Sequence, residues 1–317
     1  MKILVTGSNG LVGNSFRRLS ASFPDHTWIF LTREMCDLTD FVKVNQFFRA
    51  HTPDIVIHLA AKVGGLFMNI DNNLKMYSEN TAIDSHLIQA CVNNGVSKCV
   101  MCLSTCVFPD CVCDSFSEED LHKGEPHDSN NGYAYAKRIT EILTRLYMKS
   151  GAPTKFYCVS PTNMYGPNDN FNLQNAHVVP ALIMKAHHIY ASESEQSLHV
   201  YGSGEAKRQF MYVDDLATVI MKLLFEYDGE PGHFIVAPPD EHTINQLAEI
   251  ICDQTSIPRV ISHTVHRTGD EGQRRKFACA NKLLSLPCME EFQFTPLPEG
   301  IRKTIQWLRN NYEDARM

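Results

Sequence analysis

A glycine-rich turn stands between the first predicted strand and the first predicted helix of this 317-residue chain. Lys2–Thr6 is a short apolar run, Gly7, Gly10 and Gly13 follow as G-x-x-G-x-x-G, and a helical pattern continues to about residue 20. In that position glycines permit a tight turn and a close approach of backbone to a pyrophosphate at the helix N-terminus. The strand–turn–helix order therefore predicts dinucleotide binding, although a glycine pattern alone would be weak evidence. The predicted cofactor contacts in this turn are Gly7, Ser8, Asn9, Gly10, Leu11, Val12 and Gly13.

Strands and helices alternate through the first half of the chain. Further apolar runs predict strands at residues 27–32, 54–60, 98–103 and 156–160, and helical patterns separate them at residues 41–50, 80–93 and 132–150. The strands are continuous apolar runs, as expected when helices cover both faces of a parallel sheet. This order predicts an α/β fold with a Rossmann-like doubly wound parallel sheet.

The second half of the chain is organised differently. Beyond Pro161, loops rich in Asn, Pro and Gly interrupt the alternation, and helical patterns at residues 243–255 and 298–310 complete a smaller mixed lobe. We therefore expect residues 1–160 to form the cofactor-binding domain, to which residues of roughly 213–238 return. Residues 161–317 should form mainly the C-terminal substrate lobe.

Composition narrows the class of partner. The net charge is −7 at pH 7 and the sequence pI is about 6.0, which argues against nucleic acid or an anionic membrane. An anionic ligand would need a local cluster of cations, which Lys185, Lys207, Arg208 and residues 274–276 could supply. Eleven cysteines without a disulfide framework favour a reducing compartment, the cytoplasm. We expect no signal peptide, and no apolar stretch approaches the ~20 residues of a membrane-spanning helix.

A basic residue follows the second predicted strand. An acidic residue there would favour the free 2′-hydroxyl of NAD, whereas Arg33 suits the 2′-phosphate of NADP. Glu34 comes next and weakens this distinction, and Arg33 could also be a solvated loop charge. The local chemistry favours NADP (NADPH) over NAD, with Asp37 and Leu38 placed to border the adenine.

A tyrosine and a lysine lie one helical turn apart in the sequence YAYAK. Tyr133 and Lys137 project from one helix face, whereas Tyr135 points elsewhere. The ammonium is expected to lower the pKa of the Tyr133 phenol, which could exchange a proton with a carbonyl oxygen that receives a hydride. Ser104, at the carboxyl end of the fourth predicted strand, could hydrogen-bond the same oxygen.

The glycine turn, the serine and the Y-x-x-x-K pair together resemble the extended short-chain dehydrogenase/reductase family. This resemblance implies hydride transfer, with catalytic roles for Ser104, Tyr133 and Lys137 and a cofactor contact for Lys137. The sequence HLAAKVGG also resembles the cofactor-contacting segment of that family. It implies cofactor contacts at Leu59, Ala60 and Ala61.

A thiol, Cys106, stands two residues beyond Ser104 and is surplus to reduction alone. In a sugar with a ketone at carbon 4, the hydrogens at carbons 3 and 5 are acidic because the carbanion is delocalised as an enolate. A thiolate could remove each hydrogen, and a histidine on the opposite face could complete an inversion. Without such chemistry, a cysteine near a strand end is most often a packing residue.

Longer segments resemble nucleotide-sugar epimerase–reductases of the same family, namely STCVFPD, PTNMYGPNDNF, HVVPALI and GSGEAKRQFMYVDDLA. This resemblance implies that GDP-4-keto-6-deoxy-D-mannose is epimerised at carbons 3 and 5 and then reduced by NADPH to GDP-L-fucose. It implies Cys106 and His177 as the epimerisation pair. It places the following residues beside the cofactor: Pro161, Thr162, Asn163, Met164 and His177.

The same resemblance places Lys185, Tyr201, Arg208 and Glu271 against the GDP-sugar. Asp270 is an alternative to Glu271, and a tryptophan is more usual at position 201, where tyrosine offers less stacking area. It also implies a homodimer in which the helix of Tyr133 and the preceding long helix pair across a two-fold axis.

Other interpretations stay open. A related sugar-nucleotide 4-epimerase or dehydratase would not need Cys106 and His177, and a non-catalytic NADP-binding sensor would not need the Tyr133 proton donor. A metal site in the cysteine-rich stretch is not predicted. Cys99 and Cys102 are three positions apart on a strand and point to opposite faces, so they cannot both bind one zinc ion.

Overall fold

The computed structural model describes residues 1–110, 115–192, 197–264 and 273–317. Its strands, in chain order, are β1 Lys2–Thr6, β2 Thr27–Phe30, β3 Ile55–His58, β4 Lys98–Cys102, β5 Lys155–Pro161, β6 Asn163–Tyr165, β7 Leu198–Tyr201, β8 Lys207–Arg208, β9 Phe210–Tyr212, β10 His233–Val236, β11 His242–Thr243 and β12 Ile261–Thr264. The α-helices are α1 Leu11–Leu19, α2 Phe41–His51, α3 Leu66–Asp71, α4 Asn73–Asn93, α5 Asn131–Lys149, α6 Val178–Ser192, α7 Val213–Phe225, α8 Ile244–Thr255, α9 Asn281–Leu284 and α10 Leu297–Asn310.

Six parallel strands form the central sheet, in the order β2-β1-β3-β4-β5-β10. The chain adds β2 on one side of β1 and then returns to add β3 on the other side, so the direction of winding reverses at β1. In such a sheet, the carboxyl ends of the strands at the reversal open into a ligand crevice. The predicted doubly wound parallel sheet is confirmed, and the glycine turn and the segment after β3 both lie at this crevice.

Helices cover both faces of the sheet. On one face, side chains such as Val5 and Val100 pack with α1 and α7, and on the other face Leu4 and Met101 pack with α2, α4 and α5. Cys99 belongs to the second of these cores, whereas Cys102 borders the first. The prediction that these two thiols point to opposite faces is confirmed.

The smaller lobe is built mainly from the chain after β5. Helices α6, α8 and α10 enclose a separate core that includes Leu182, Ile251 and Ile305. Three two-stranded sheets complete it, namely β6 with β9, β7 with β12 and β8 with β11. In contrast, β10 pairs with β5, and α7 packs in the same core as α1. Across the described ranges, no helix has both the length and the apolar character needed to cross a bilayer.

Two predicted element boundaries differ from those of the structure, and the structure shows the reason for each. Strand β3 ends at His58 instead of residue 60, because the N–H groups of Leu59 and Ala60 donate to the Thr6 hydroxyl, at 3.1 Å each, instead of extending the sheet. Helix α4 begins at residue 73 instead of residue 80. Its first turns carry exposed side chains, among them Leu74 at 81% exposure, so no buried apolar stripe marks them in the sequence.

Candidate functional site

Two close backbone contacts shape the glycine turn after β1. Gly7 has a φ of +63°, and a Cβ at this position would lie 2.7 Å from the Ala60 backbone nitrogen. A Cβ on Gly13 would lie 2.5 Å from the Gly7 carbonyl oxygen. The turn thus lies directly against the segment after β3 and against the first turn of α1, and only glycine fits at these contacts. This is the backbone cradle that a pyrophosphate requires.

Polar contacts fix the remainder of the turn. The Ser8 hydroxyl donates to the Leu31 carbonyl at 3.0 Å. The Arg17 guanidinium, from α1, donates to the Ser8 carbonyl at 3.2 Å and to the Asn9 side-chain oxygen at 3.3 Å. Sequence reasoning missed Arg17, because nothing in the G-x-x-G-x-x-G pattern identifies the residue one turn further along the helix that holds the loop. The other predicted contacts here, Gly10, Leu11 and Val12, form the start of α1.

The residues predicted for the adenine end follow β2. Arg33 is exposed, whereas Leu38 is buried and its carbonyl lies 3.1 Å from the His86 Nδ1. The Asp37 carboxylate accepts from the Thr39 hydroxyl at 2.7 Å and from the Thr39 N–H at 3.0 Å, and these hydrogen bonds lower the pKa of Asp37. Asp37 is therefore held by its own loop, which leaves Arg33 as a solvent-facing cation at the end of the strand.

The segment after β3 is held from two sides. Its first two N–H groups, of Leu59 and Ala60, donate to the Thr6 hydroxyl. Beyond Ala61, the Asn80 side chain accepts from the Lys62 N–H at 2.8 Å and donates to the Lys62 carbonyl at 3.0 Å. Asn80 is fully buried, and an asparagine in line with the apolar positions Leu87 and Ile88 of the predicted helix was the sequence signal that could have identified it.

The turn after β4 holds both Ser104 and Cys106. The Ser104 hydroxyl accepts from the Cys106 N–H at 3.2 Å, so the single helical turn Thr105–Val107 folds the Cys106 backbone onto the serine side chain. Arg138 of α5 donates to the Val107 carbonyl at 2.6 Å. This hydrogen bond joins the turn to the helix that carries the predicted tyrosine and lysine, so the structure brings these groups together.

Tyr133 and Lys137 lie one turn apart on α5, and the lysine is 1% exposed. The Lys137 ammonium donates to the Asp84 carboxylate at 3.0 Å, and its Nζ lies 5.9 Å from the centre of the Tyr133 ring. Burial raises the pKa of Tyr133 well above its ordinary value, and the nearby Cys102 and Cys106 side chains raise it further.

The predicted lowering of the Tyr133 pKa by Lys137 is therefore wrong. The Asp84 carboxylate lies against the ammonium and offsets its charge, and the desolvation of the phenol outweighs what remains. Tyr133 is consequently a neutral phenol near pH 7. That form can donate a hydrogen bond and a proton to a carbonyl oxygen, which is what a reduction needs.

His177 immediately precedes α6, and its carbonyl accepts from the Ala181 N–H at 3.0 Å. Its side chain is exposed. The loop before His177 contacts the segment after β3, because a Cβ on Gly65 would lie 3.0 Å from the Ala176 carbonyl oxygen. The structure thus places the His177 loop against the segment that follows β3.

Residues 161–164 include the end of β5 and the start of β6, which Thr162 separates. Thr162 is 7% exposed, and its buried hydroxyl has no hydrogen-bond partner within the described part of the chain. The Asn163 side chain donates to the Gln209 carbonyl at 3.0 Å, which ties the segment to the residue before β9. A buried hydroxyl without a protein partner fits a position where a ligand completes the hydrogen bonding, as predicted for Pro161, Thr162, Asn163 and Met164.

Cationic side chains of the smaller lobe lie near the Cys106 thiol. Arg208 of β8 donates to the Gln273 carbonyl at 2.5 Å, and the Lys207 N–H donates to the Arg274 carbonyl at 3.0 Å. Burial lowers the pKa of Arg208 and of Lys276, while the proximity of Cys106 acts in the opposite direction on both. An anionic ligand would therefore find two partly desolvated cations beside the thiol. Glu271 and Asp270 lie outside the described residues.

Lys185 and Tyr201 line a pocket of the smaller lobe. The Lys185 Nζ lies 4.3 Å from the centre of the Tyr201 ring and donates to the His199 carbonyl at 2.9 Å. The tyrosine is 55% exposed, which leaves aromatic surface available for stacking. The pocket has a volume of about 340 Å³ and is lined by Leu173, Lys185, His188, Ile189, Ser197, His199, Tyr201 and Thr264.

Comparisons with known proteins agree with this architecture. The family model described as "NAD dependent epimerase/dehydratase family" matches residues 3–237. A GDP-L-fucose synthase of Dictyostelium discoideum is 37% identical over 99% of this chain and 97% of its own length. A probable GDP-L-fucose synthase of Drosophila melanogaster is 35% identical over 99% of both chains.

A solved structure is similarly close. The GDP-L-fucose synthetase of Naegleria fowleri bound to NADP is 35% identical, covers 100% of this chain and 96% of its own, and superposes with a TM-score of 0.89. Sheet order, glycine turn and full-length similarity therefore agree with the family model. This chain belongs to the NAD dependent epimerase/dehydratase family.

Proposed function

We propose that this protein converts GDP-4-keto-6-deoxy-D-mannose to GDP-L-fucose, by epimerisation at carbons 3 and 5 and NADPH-dependent reduction of the 4-ketone. The observation that carries the proposal is the turn after β4, where Cys106 lies beside Ser104 and is close enough to Tyr133 to raise its pKa. A reductase alone needs the serine and the tyrosine but no thiol. The full-length similarity to GDP-L-fucose synthases supports the same activity.

The crevice fits NADPH, which would supply the hydride. The glycine turn offers a cradle that a Cβ at Gly7 or Gly13 would fill. The buried Thr162 hydroxyl lacks a partner within the described ranges, and Arg33 offers a cation for a 2′-phosphate. The Naegleria fowleri relative is described as bound to NADP, which supports NADP over NAD.

Epimerisation requires an acidic C–H bond and two groups on opposite faces of the sugar. The 4-ketone acidifies the hydrogens at carbons 3 and 5, and the Ser104 and Tyr133 hydroxyls can donate to the oxygen that becomes an enolate. We assign the proton transfers to Cys106 and His177. One removes the proton from carbon, the electron pair moves to the ketone oxygen, and the other returns a proton to the opposite face. An imidazole can accept or donate a proton near neutral pH, so His177 can act as the base when the thiol is the acid.

Reduction uses the same oxygen. When a hydride reaches carbon 4, the oxygen becomes an alkoxide and takes the proton of the Tyr133 phenol, which its raised pKa keeps protonated. The buried Lys137 ammonium then lies near the tyrosinate that forms, 5.9 Å from the ring centre. The GDP part of the substrate is assigned to Lys185, Tyr201 and Arg208, and Glu271 stays a prediction.

Isotope exchange separates the two reactions. The protein is incubated with GDP-4-keto-6-deoxy-D-mannose in heavy water, with and without NADPH. We expect deuterium at carbons 3 and 5 without NADPH, and GDP-L-fucose with stoichiometric NADPH oxidation when it is present. Cys106→Ser should abolish most exchange, whereas Tyr133→Phe should mainly abolish reduction. Absence of exchange in the wild-type protein would exclude the epimerase activity and favour another sugar-nucleotide enzyme or an NADP-binding sensor.

We also propose a homodimer formed by α4 and α5. An apolar groove of about 430 Å³ lies on these helices, lined by Asn73, Leu74, Tyr77, Asn131, Gly132, Tyr135 and Ile139. A second copy related by a two-fold axis would cover such a surface with the same residues. Light scattering tests this proposal: Leu74→Glu should give a monomer, whereas Leu284→Glu, an exposed leucine on α9, should leave the dimer intact.

We propose two lobes, with residues 1–160 and roughly 213–238 on the cofactor side and the remainder mainly on the substrate side. The pairing of β10 with β5 and the shared core of α1 and α7 support this division. We propose the cytoplasm as the compartment, since a reducing environment would keep the Cys106 thiol available.

A further inference from the structure

A chain of buried polar side chains runs from the end of β1 to the catalytic helix α5. Its centre is Asp84 of α4, which is 1% exposed. The carboxylate accepts from His58 Nε2 at 3.0 Å, from the Lys137 ammonium at 3.0 Å and from the Thr140 hydroxyl at 2.5 Å. His58 Nδ1 lies 2.7 Å from the Thr6 hydroxyl oxygen. Sequence analysis assigned no role to Asp84, and it assigned none to His58 although His58 is the first residue of the segment HLAAKVGG.

The direction of each hydrogen bond follows from counting donors. Thr6 Oγ1 accepts from the N–H groups of Leu59 and Ala60, so its own hydrogen is left to donate to His58 Nδ1. Nδ1 is then the acceptor, and Nε2 carries the proton that it donates to Asp84. His58 is neutral in this arrangement, and its burial, which lowers the pKa of the imidazole, favours the same form.

Asp84 is therefore the anion that faces Lys137. The other titratable groups around this pair are His58 on β3, Cys99 and Cys102 on β4, Cys158 on β5, and Tyr133 and Glu141 on α5. Burial raises the pKa of Cys102 to about 11 and of Cys158 to about 12, so these thiols are uncharged near neutral pH. Glu141 contacts Arg145 and His122 instead. Within the described ranges, Asp84 is the charged group in hydrogen-bond contact with the ammonium.

We propose that Asp84 is a positioning residue for the reduction: its carboxylate holds the Lys137 Nζ near Tyr133. The inference rests on the proposed function, because it is tested by the rate of NADPH-dependent reduction. A buried ammonium without a counter-ion is unstable, and a lysine side chain is flexible unless a partner holds it. Through His58 and Thr6, the same carboxylate is also connected to the backbone N–H groups of the cofactor segment.

The test compares two buried aspartates. Asp84→Asn keeps the side-chain shape and removes the charge, and kcat for NADPH-dependent reduction should fall about 100-fold as Nζ is displaced. The alkaline limb of the kcat profile should move to lower pH, because the Asp84 charge helps to raise the pKa of Tyr133, the proposed proton donor, and the amide carries no charge. Asp215→Asn is the control, since Asp215 on α7 is also buried and accepts from the Thr295 N–H at 2.8 Å. It should leave kcat and the pH profile unchanged.

The outcomes separate this inference from the proposed function. Wild-type NADPH consumption with GDP-4-keto-6-deoxy-D-mannose tests the function itself, and only the comparison of variants tests Asp84. If Asp84→Asn loses thermal stability but keeps the wild-type kcat and alkaline limb, the role of Asp84 is purely structural and the inference is overturned. If Asp84→Asn does not fold, Asp84→Glu decides. This variant keeps the charge but displaces it, so kcat should fall at least about tenfold with an unmoved alkaline limb, and a wild-type kcat would overturn the inference.

Discussion

Lys137 and Lys185 are the same side chain in two differently built halves of the proposed site. Lys137 is fully buried and ion-paired with Asp84 inside a network that reaches β1 and β3. Lys185 is half-buried, lies over the Tyr201 ring and donates to one backbone carbonyl. The first lysine is held by contacts that exist before any ligand binds, whereas a ligand could displace the contacts of the second. The cofactor half is therefore preorganised, and the substrate half retains surface for a ligand to complete.

The reason lies in how each half is assembled. The cofactor half uses the carboxyl ends of adjacent parallel strands, so its residues are neighbours because of the sheet order alone. The substrate half combines α6, β7, β8 and the segment after residue 273, which meet only through long-range contacts such as the Lys207 N–H to the Arg274 carbonyl. The predictions below test whether this difference holds.

The largest effect should come from filling the space under the glycine turn. Gly7→Ala places a Cβ 2.7 Å from the Ala60 nitrogen at a φ of +63°. Strain and overlap together should lower the free energy of unfolding by about 4 kcal/mol and kcat/KM for NADPH by about 100-fold or more. Urea unfolding and steady-state kinetics measure these changes.

Gly95→Ala is the matched control for this prediction. Gly95 also has a positive φ, +69°, but a Cβ there would meet nothing within 4 Å. Gly95→Ala should lower the free energy of unfolding by only about 1 kcal/mol and leave the KM for NADPH unchanged. Equal losses in both variants would mean that backbone conformation matters and that contact with the segment after β3 does not.

The next effect concerns a buried acid of the substrate half. Asp169 is 3% exposed, its Oδ2 has no partner in the described part of the chain, and burial raises its pKa to about 7. The unfolded carboxyl titrates near its model value of 3.8, so the folded state binds the extra proton between these values and stability falls as pH rises from about 3.8 to about 7. Asp169→Asn should therefore raise the free energy of unfolding by about 3 kcal/mol at pH 8 and have little effect at pH 4.

Asp120→Asn provides the opposite sign. Hydrogen bonds from Lys123 and Ser117 lower the pKa of Asp120 to about 2, so its contribution is present above about pH 4 and disappears as pH falls through 2. This variant should be less stable than wild type at pH 8. Thermal melts at pH 4 and pH 8 decide the Asp169 case, and a melt at pH 8 decides the Asp120 case. An Asp169→Asn melting temperature that matches wild type at pH 8 would contradict the predicted desolvation.

A smaller effect should come from the exposed cation after β2. Arg33→Ser removes a charge that suits a 2′-phosphate, and the KM for NADPH should rise about tenfold while the KM for NADH changes little. Arg49→Ser is the control: it replaces an exposed arginine on α2 and should change neither KM value. An unchanged ratio of the two KM values in Arg33→Ser would show that Arg33 is a solvated loop charge.

The comparison also explains what the sequence could predict. The alternation of strands and helices, the glycine turn and the Tyr133–Lys137 spacing depend on local periodicity and short motifs, and the structure has them as predicted. The partners that control those residues, such as Asp84 with Lys137, were missed because they come from distant positions and carry no motif. The direction of the Tyr133 pKa was wrong for the same reason, since spacing alone does not show a counter-ion or desolvation.

The smallest effect should sharpen the substrate half. If the Tyr201 ring stacks on the guanine of the substrate, Tyr201→Trp enlarges the stacking surface and strengthens the cation–π contact with Lys185, whose Nζ lies 4.3 Å from the ring centre. The KM for the GDP-sugar should fall about twofold to threefold, whereas kcat should not change because the ring is not assigned to the reacting carbons. Tyr190→Trp, at an equally exposed tyrosine on α6, is the control and should leave KM unchanged. A KM that rises in Tyr201→Trp would mean that this pocket is already complementary in shape to its ligand, and the substrate half would then be as preorganised as the cofactor half.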